Sequence, residues 1–383
     1  GVHRSAGGPQ PDIDDLAGSI FEVDPTVYED VVKGTAPSDA VRKNGRMIVT
    51  ATTPPFRFWD RRDPPTLDTL TDRPYAGLIP DPESSNVFVL AYSGIDLKDA
   101  PAFRKNATDA IHRFNFDTKR WYPFEAHDPS VVPASDLGLF VPNDTYPHSD
   151  PDTTPPPHGL ANGPCGASVI GDFLYVTAKE NSALIQYPLD EVRRDPNAGP
   201  PKGRYIFRRE GPQGDIFLQT KGHGNMYVEG PGAVVAHDGY MYVAFRTTSQ
   251  VMRFPITANG DVVQPIVAEY LAQFDPYEKE GEGYTRSADF FDLRVNQLGE
   301  VFISCNAQGT VWKIPTDGSG VLEARKGTKE KPYANLNQLA GHEKSSAGNF
   351  CFDPDGNMYI CADNKDAENG KIRGVIYRVP FVR

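Results

Sequence analysis

Three observations predict an all-β chain folded as a ring of repeated sheets. A six-residue strand-like segment recurs six times, five of its copies follow another strand-like run, and turn-forming residues bound most of these runs. The recurring segment has a small or polar pair, a β-branched residue or Leu, any residue, a polar residue and an apolar one. Its copies are Gly18-Ser-Ile-Phe-Glu-Val23, Asp109-Ala-Ile-His-Arg-Phe114, Ser182-Ala-Leu-Ile-Gln-Tyr187, Ser249-Gln-Val-Met-Arg-Phe254, Gly309-Thr-Val-Trp-Lys-Ile314 and Gly374-Val-Ile-Tyr-Arg-Val379. The preceding runs are Val87–Leu90, Phe173–Val176, Tyr240–Val243, Val301–Ser304 and Asn357–Cys361. Apolar residues alternating at period two between Gly, Asp and Asn mark half-buried strands. Strand pairs repeated roughly every 60 to 90 residues describe the blades of a β-propeller.

The expected architecture is one β-propeller domain over residues 1–383, most consistent with six blades, of which five are countable. From residue 160 onward inner strands start near Gly163, Gly230, Ala288 and Ala347; an earlier blade uses Ala76 to about Phe124, interrupted by an insertion from Ile95 to Thr108. The stretch from Tyr122 to Pro157, with Pro155-Pro-Pro157, reads as a long irregular connection, either functional or a solvated spacer. Arg46-Met-Ile-Val-Thr50 has no strand partner close in sequence, and the last blade lacks a fourth strand. Pairing of these N- and C-terminal strands would close the ring and remove two exposed edges, making residues 1 to about 60 a closing segment. The sixth blade would come from the N-terminal strands or from residues 125 to 160.

Composition excludes some partners. The net charge of −12 argues against nucleic acid or an anionic membrane surface as partner, because either would need a basic face, and no apolar run is long enough to cross a bilayer. A small-molecule substrate is the expected partner. The chain opens Gly1-Val-His-Arg without a Met or a signal-like apolar stretch, which reads as a product whose targeting segment has been removed. With the sequons Asn106-Ala-Thr108 and Asn143-Asp-Thr145 in loop-like stretches, this gives the expectation of a secreted glycoprotein. The four cysteines read as buried thiols, because Cys351 and Cys361 do not fall opposite each other across the turn Asp353–Gly356.

Superimposing the blades on the second-strand aromatics Phe88, Tyr175, Tyr242, Phe302 and Tyr359, and stepping back thirteen residues, equates Tyr75, Asn162, Glu229, Asp289 and Ser346. In a propeller these positions start the inner strands at the rim of the central channel. Asn162, Glu229 and Asp289 are oxygen donors of the kind Ca²⁺ prefers, and two carboxylates sharing an axis are costly without a cation. The other account is local: Asn and Asp at strand starts satisfy the backbone of the preceding loop. Ser346 is a poor ligand, and Asn349, three residues on, is the amide that could reach the channel instead. Loops entering three blades carry His158, His223 and His342, which are candidates for a general base or for ligands of a softer ion such as Zn²⁺. Asp292 is expected to turn away from Asp289 and to act as a hydrogen-bonding group within its blade.

Asn162-Gly-Pro164 and Glu229-Gly-Pro231 resemble the rim motifs of the senescence-marker-protein/gluconolactonase superfamily. The stretches Phe21–Lys33, Met47–Thr52 and Asn86–Leu90 are similar to the opening of its fungal lactonohydrolases. The resemblance implies six blades and a calcium-dependent hydrolase, with Asn162, Glu229, Asp289 and Asn349 as metal ligands. The first-blade register position carries Tyr75 where lactonohydrolases place a Glu, so Glu229 would supply that charge. The expected activity is hydrolysis of a lactone or related ester, with Asp289, Glu229 and His223 as catalytic residues. A propeller lyase or cyclase using a rim His or Glu and a non-catalytic ligand-binding propeller are the alternatives.

Overall fold

The structure is a computed structural model. It describes residues 20–22, 25–36, 46–49, 75–91, 110–118, 120–121, 139–141, 164–178, 182–198, 201–209, 216–275, 278–280, 283–285, 289–325, 329–340, 346–365 and 372–381. Strands dominate. β1 (Ile20–Glu22) pairs with β2 (Arg46–Val49). Blade I contains β3 (Tyr75–Pro80), β4 (Asn86–Ala91), β5 (Ala110–Asn115), β6 (Arg120–Trp121) and β7 (Leu139–Val141). Blade II contains β8 (Pro164–Ile170), β9 (Phe173–Ala178), β10 (Ala183–Pro188) and β11 (Arg204–Phe207). A hairpin, β12 (Ile216–Thr220) with β13 (Gly224–Val228), leads into blade III: β14 (Pro231–His237), β15 (Tyr240–Phe245), β16 (Gln250–Pro255) and β17 (Glu269–Phe274).

After a short hairpin, β18 (Glu278–Glu280) with β19 (Gly283–Thr285), blade IV contains β20 (Phe290–Val295), β21 (Val301–Cys305) and β22 (Thr310–Ile314). β23 (Leu322–Ala324) then crosses to pair in parallel with β17, and β24 (Ala334–Asn335) completes blade IV. Blade V contains β25 (Phe350–Phe352), β26 (Met358–Lys365) and β27 (Ile372–Val379). The first strands β3, β8, β14, β20 and β25 pack successively side by side, so five antiparallel meanders turn about a shared inner wall. This is the predicted all-β propeller, with five blades among the described residues.

Three expectations change. Arg46–Val49 has a partner, Ile20–Glu22, and is not paired with β27; blade V ends at three strands among the described residues. The expected irregular connection contains β7, which pairs with β5 and extends blade I. Its Leu-Phe-Val core is too short for periodicity to separate from loop. The sequons at Asn106 and Asn143 lie outside the described residues. No disulfide links the four cysteines; Cys305 is buried, while Cys351 and Cys361 are exposed, contrary to the expectation of buried thiols.

The recurring segment begins in a turn with left-handed backbone in three copies, with φ of 45° at Ser182, 54° at Ser249 and 63° at Gly309, which favours small or turn-forming residues; in the last copy Gly374 lies within β27, opposite Asp363. The segment's polar residue faces the second-strand aromatic across the ladder in all five blades: Arg113 opposite Phe88, Gln186 opposite Tyr175, Arg253 opposite Tyr242, Lys313 opposite Phe302 and Arg378 opposite Tyr359. Three of these side chains clip one blade to the next. Buried Arg113 donates to the carbonyls of Val192, Pro196 and Ala198; Gln186 donates to Asp261; Arg253 donates to the Thr316 carbonyl.

A further clip joins blades I and II. Arg193, on the short helix Asp190–Arg194, forks onto Asp81 in the turn after β3, at 3.0 Å from Nε and 2.9 Å from Nη2. Burial disfavours the Asp81 carboxylate, but the Arg193 and Ser84 hydrogen bonds outweigh it and hold its pKa below the ordinary value. A depressed folded pKa contributes stability that is complete above the unfolded value and is lost as pH falls through the folded one. Arg193→Met is therefore expected to cost about 2 kcal/mol at neutral pH. In denaturant titrations the gap between variant and parent should close as pH drops below about 4.

Candidate functional site at the channel rim

The sheet pairings fix which residues are equivalent between blades. The anchor aromatics pair with Ile79, Ser168, Val235, Arg294 and Cys351. Counting back from these partners, Glu229 stands six places before Val235. Asp289 and Ser346 fall one place later, level with Gly230, and Tyr75 falls two places later, level with Pro231. The hairpin between the first two strands has two loop residues in blades II and III and five in IV and V. A fixed offset of thirteen therefore slips. The backbone supports the new alignment. Gly230 and Asp289 both have positive φ, 65° and 46°, and their carbonyls accept from Arg246 N at 2.7 Å and Asn306 N at 3.0 Å, the residue after the second strand in each blade.

Glu229 and Asp289 nevertheless share one end of the propeller. β8, β14 and β20 begin side by side: a Cβ on Gly166 would lie 2.5 Å from the Gly232 carbonyl oxygen, and one on Gly232 would lie 3.4 Å from the Phe290 carbonyl oxygen. The absent side chain at Gly166 lets β8 and β14 approach backbone to backbone, while at Gly232 it makes room for the Arg246 side chain; β14 in turn packs beside β20, which brings the residues just before these strands together on one rim.

Each carboxylate there is held by an arginine. Arg209, two residues past β11, donates through Nη2 to Glu229 Oε1 and to Ser182 Oγ, the latter at 3.2 Å; the Tyr227 hydroxyl donates to Glu229 Oε2 at 2.6 Å. Ser182 Oγ also accepts from Gly230 N at 3.2 Å, tying blade II to the Glu229 turn. In the next blade Arg246 donates to Asp289 Oδ1 through Nε, at 2.9 Å, and through Nη2. The Arg246–Asp289 pair is largely buried, whereas Arg209 and Glu229 each keep 27% of their side chains exposed. Close by, burial pushes the Cys305 thiol pKa up, which makes it an inert packing group.

The other expected residues separate. Asn162, His158 and His342 lie outside the described residues. Asn349 stands level with Asp292, three places into its strand from the level of Asp289. Asp292 does not act only within its blade: its Oδ2 accepts from Arg294 Nε at 2.9 Å and from Phe350 N, in the inner strand of blade V, at 3.2 Å. Burial raises the Asp292 pKa against these contacts. His223 is at the tip of the β12–β13 hairpin, with its ring against Tyr270 at 5.4 Å. Thr220 bridges Ala268 there, and the neighbouring Glu269 pairs with Arg253, away from the rim end of blade III at Phe245, Gln250 and Gln273. About 17 Å of strand separates that tip from Glu229.

The described donors do not fit a calcium ion as arranged. Both Glu229 oxygens already accept hydrogen bonds, Asp289 carries Arg246, and a cation at this rim would lie against two guanidinium groups. Among the described residues no three His, Cys, Asp or Glu side chains gather. The arginines answer the charge problem that the sequence posed. Sequence reasoning passed over Arg209, Arg246 and Tyr227; only the position of Arg246 directly after a second strand could have signalled a rim residue.

No protein-family model and no curated protein matches the chain. Among solved structures it is similar to a candidate 6-phosphogluconolactonase from Bacteroides uniformis, at 12% identity and a TM-score of 0.37, covering 78% of this chain and 70% of that one. A second candidate 6-phosphogluconolactonase, from Bacteroides fragilis, gives 12% identity, a TM-score of 0.38, and 79% and 69% coverage. A catalytically inactive virginiamycin B lyase from Staphylococcus aureus gives 11% identity, a TM-score of 0.33, and 80% and 84% coverage. At these scores the likeness carries no argument about this chain; its propeller architecture rests on its own sheet order and inner-strand packing.

Proposed function

We propose that the rim hydrolyses a small ester or lactone at Arg209 and Glu229. The observation that supports this reading is a part-exposed guanidinium–carboxylate pair held from two sides, by Tyr227 on the carboxylate and by Ser182 on the guanidinium. Donors fixed before substrate arrives stabilise a developing oxyanion without reorganising. Arg209 donates to the carbonyl oxygen as it gains charge, and Glu229 takes the proton of the attacking water. The bond from the carbonyl carbon to the alkoxy oxygen breaks, and protonated Glu229 returns its proton to that oxygen, which leaves as an alcohol, giving a carboxylic acid or, from a lactone, a hydroxy acid. No metal enters this scheme; a calcium-loaded rim would require the arginines to release their carboxylates.

The test is turnover of an ester and lactone panel, followed by acid release before and after removal of divalent cations. Glu229→Gln keeps the shape and removes the base, and is expected to lower kcat by about 10²- to 10⁴-fold. Chelation should leave the parent rate unchanged. Equal rates for Glu229→Gln and parent on every hydrolysed compound would eliminate the reading. The pairing of both rim carboxylates with arginine also favours a second reading, a binding propeller for a small ligand. In that case the panel is bound but not turned over, and Glu229→Gln changes affinity alone.

A further inference from the structure

The β12–β13 hairpin buries one face and leaves the other open. Ile216, Leu218, Thr220 and Val228 are buried on the inner face; Phe217, Gln219, Asn225 and Tyr227 are exposed on the outer one. The ladder places these four as two cross-strand pairs, Phe217 opposite Tyr227 and Gln219 opposite Asn225. The aromatic rings are 5.9 Å apart and inclined at 54°, with Phe217 57% exposed. Buried alternate residues anchor this strip, so its side chains project from a fixed sheet and not from a free loop.

The chemistry of the strip selects its occupant. Two aromatic faces offer negative π surface, which attracts the weakly positive C–H groups on the flat side of a saturated ring. Two carboxamides beside them each present donors and an acceptor, the complement of hydroxyl groups, which both give and take hydrogen bonds. None of the four side chains is charged, on a chain whose net charge is −12. An uncharged strip of alternating ring faces and amides suits a neutral ligand with apolar faces and a hydroxylated perimeter. The strip also runs on into the rim, because the Tyr227 hydroxyl donates to Glu229. We infer that the exposed face of this hairpin binds a neutral glycan, with Phe217 and Tyr227 stacking on pyranose rings and Gln219 and Asn225 bonding their hydroxyls. This function is separate from ester hydrolysis, and its readout involves no turnover.

The experiment is affinity electrophoresis of the full chain through gels containing soluble β-glucan, mannan, xylan or glycol chitin, with titration calorimetry on oligosaccharides of whichever retards it. At least one polysaccharide should retard the parent protein. Phe217→Ala should weaken that binding about tenfold, the loss of one stacking contact. The double variant Gln219→Ala with Asn225→Ala should weaken it comparably. Both alter exposed positions, and unchanged melting temperatures would establish that each variant is folded. The inference is overturned if no polysaccharide retards the parent, or if the folded variants are retarded as strongly as the parent. It is equally overturned if a neutral naphthalene probe binds the strip while every glycan fails, which would make the rings a site for aromatic ligands.

Discussion

Asp289→Ala is expected to destabilise the protein by about 3–5 kcal/mol, the largest loss for any change at the rim. Arg246 and Asp289 are 12% and 9% exposed, so their attraction acts in a poorly solvated place and neither charge can fall back on bulk water. Removing the carboxylate leaves a guanidinium without the group that accepts from both its Nε and its Nη2. A second cost is local. Asp289 has φ of 46°, which Asp and Asn adopt far more readily than Ala. Asp289→Asn separates the two, since it keeps the backbone preference and an acceptor oxygen while discarding the charge. Equilibrium urea unfolding should rank parent, Asn variant and Ala variant in that order. Equal stability of the Asn and Ala variants would mean that the backbone preference contributes nothing. Equal stability of Asn and parent would mean that the ion pair does not hold these blades together.

Gly166→Ala should be nearly as damaging, although it adds a single methyl group. Its Cβ would sit 2.5 Å from the Gly232 carbonyl oxygen and 2.9 Å from Ala233 Cα, and both are backbone atoms of the neighbouring inner strand. A flexible side chain could turn aside; β14 can move only by parting blades II and III. The expected loss is about 3 kcal/mol, at the upper end for overpacking. Gly77→Ala is the matched control, at the same level of blade I, where the added methyl would meet only the Ile79 and Leu90 side-chain tips at 3.5 and 3.7 Å. That variant should stay within about 0.5 kcal/mol of the parent, as methyl groups in ordinary contact do. If the two substitutions cost the same, the close approach of β8 and β14 is not what forbids a side chain at Gly166.

The blades themselves were legible because their signals are local and repeated. Period-two alternation marks a strand wherever one face is buried, and the small residue at Ser182, Ser249 and Gly309 marks a left-handed turn. The polar residue within the repeat was visible too. Its purpose was not, because Arg113 reaches carbonyls at Val192, Pro196 and Ala198, some eighty residues away in blade II. β7 escaped notice for the opposite reason, since three residues hold too little periodicity to stand out from a Pro-rich stretch.

At the rim, residue types on the inner-strand starts could be read from the chain, but their level could not. Register depends on hairpin loop length, and the five-residue loops of blades IV and V move Asp289 one place from Glu229. Charge partners were further out of reach. Tyr227 precedes Glu229 by two residues, but Arg209 comes from the end of blade II, twenty residues earlier, and meets Glu229 only because the two segments end at one rim. Sequence alone determined that this chain forms repeated antiparallel sheets with carboxylates at the inner-strand starts, since patterning and turn chemistry act over a few residues. Tertiary structure decided what neutralises those carboxylates, because electrostatic partnership follows distance in space, and here the nearest cations are arginines brought in from other parts of the chain.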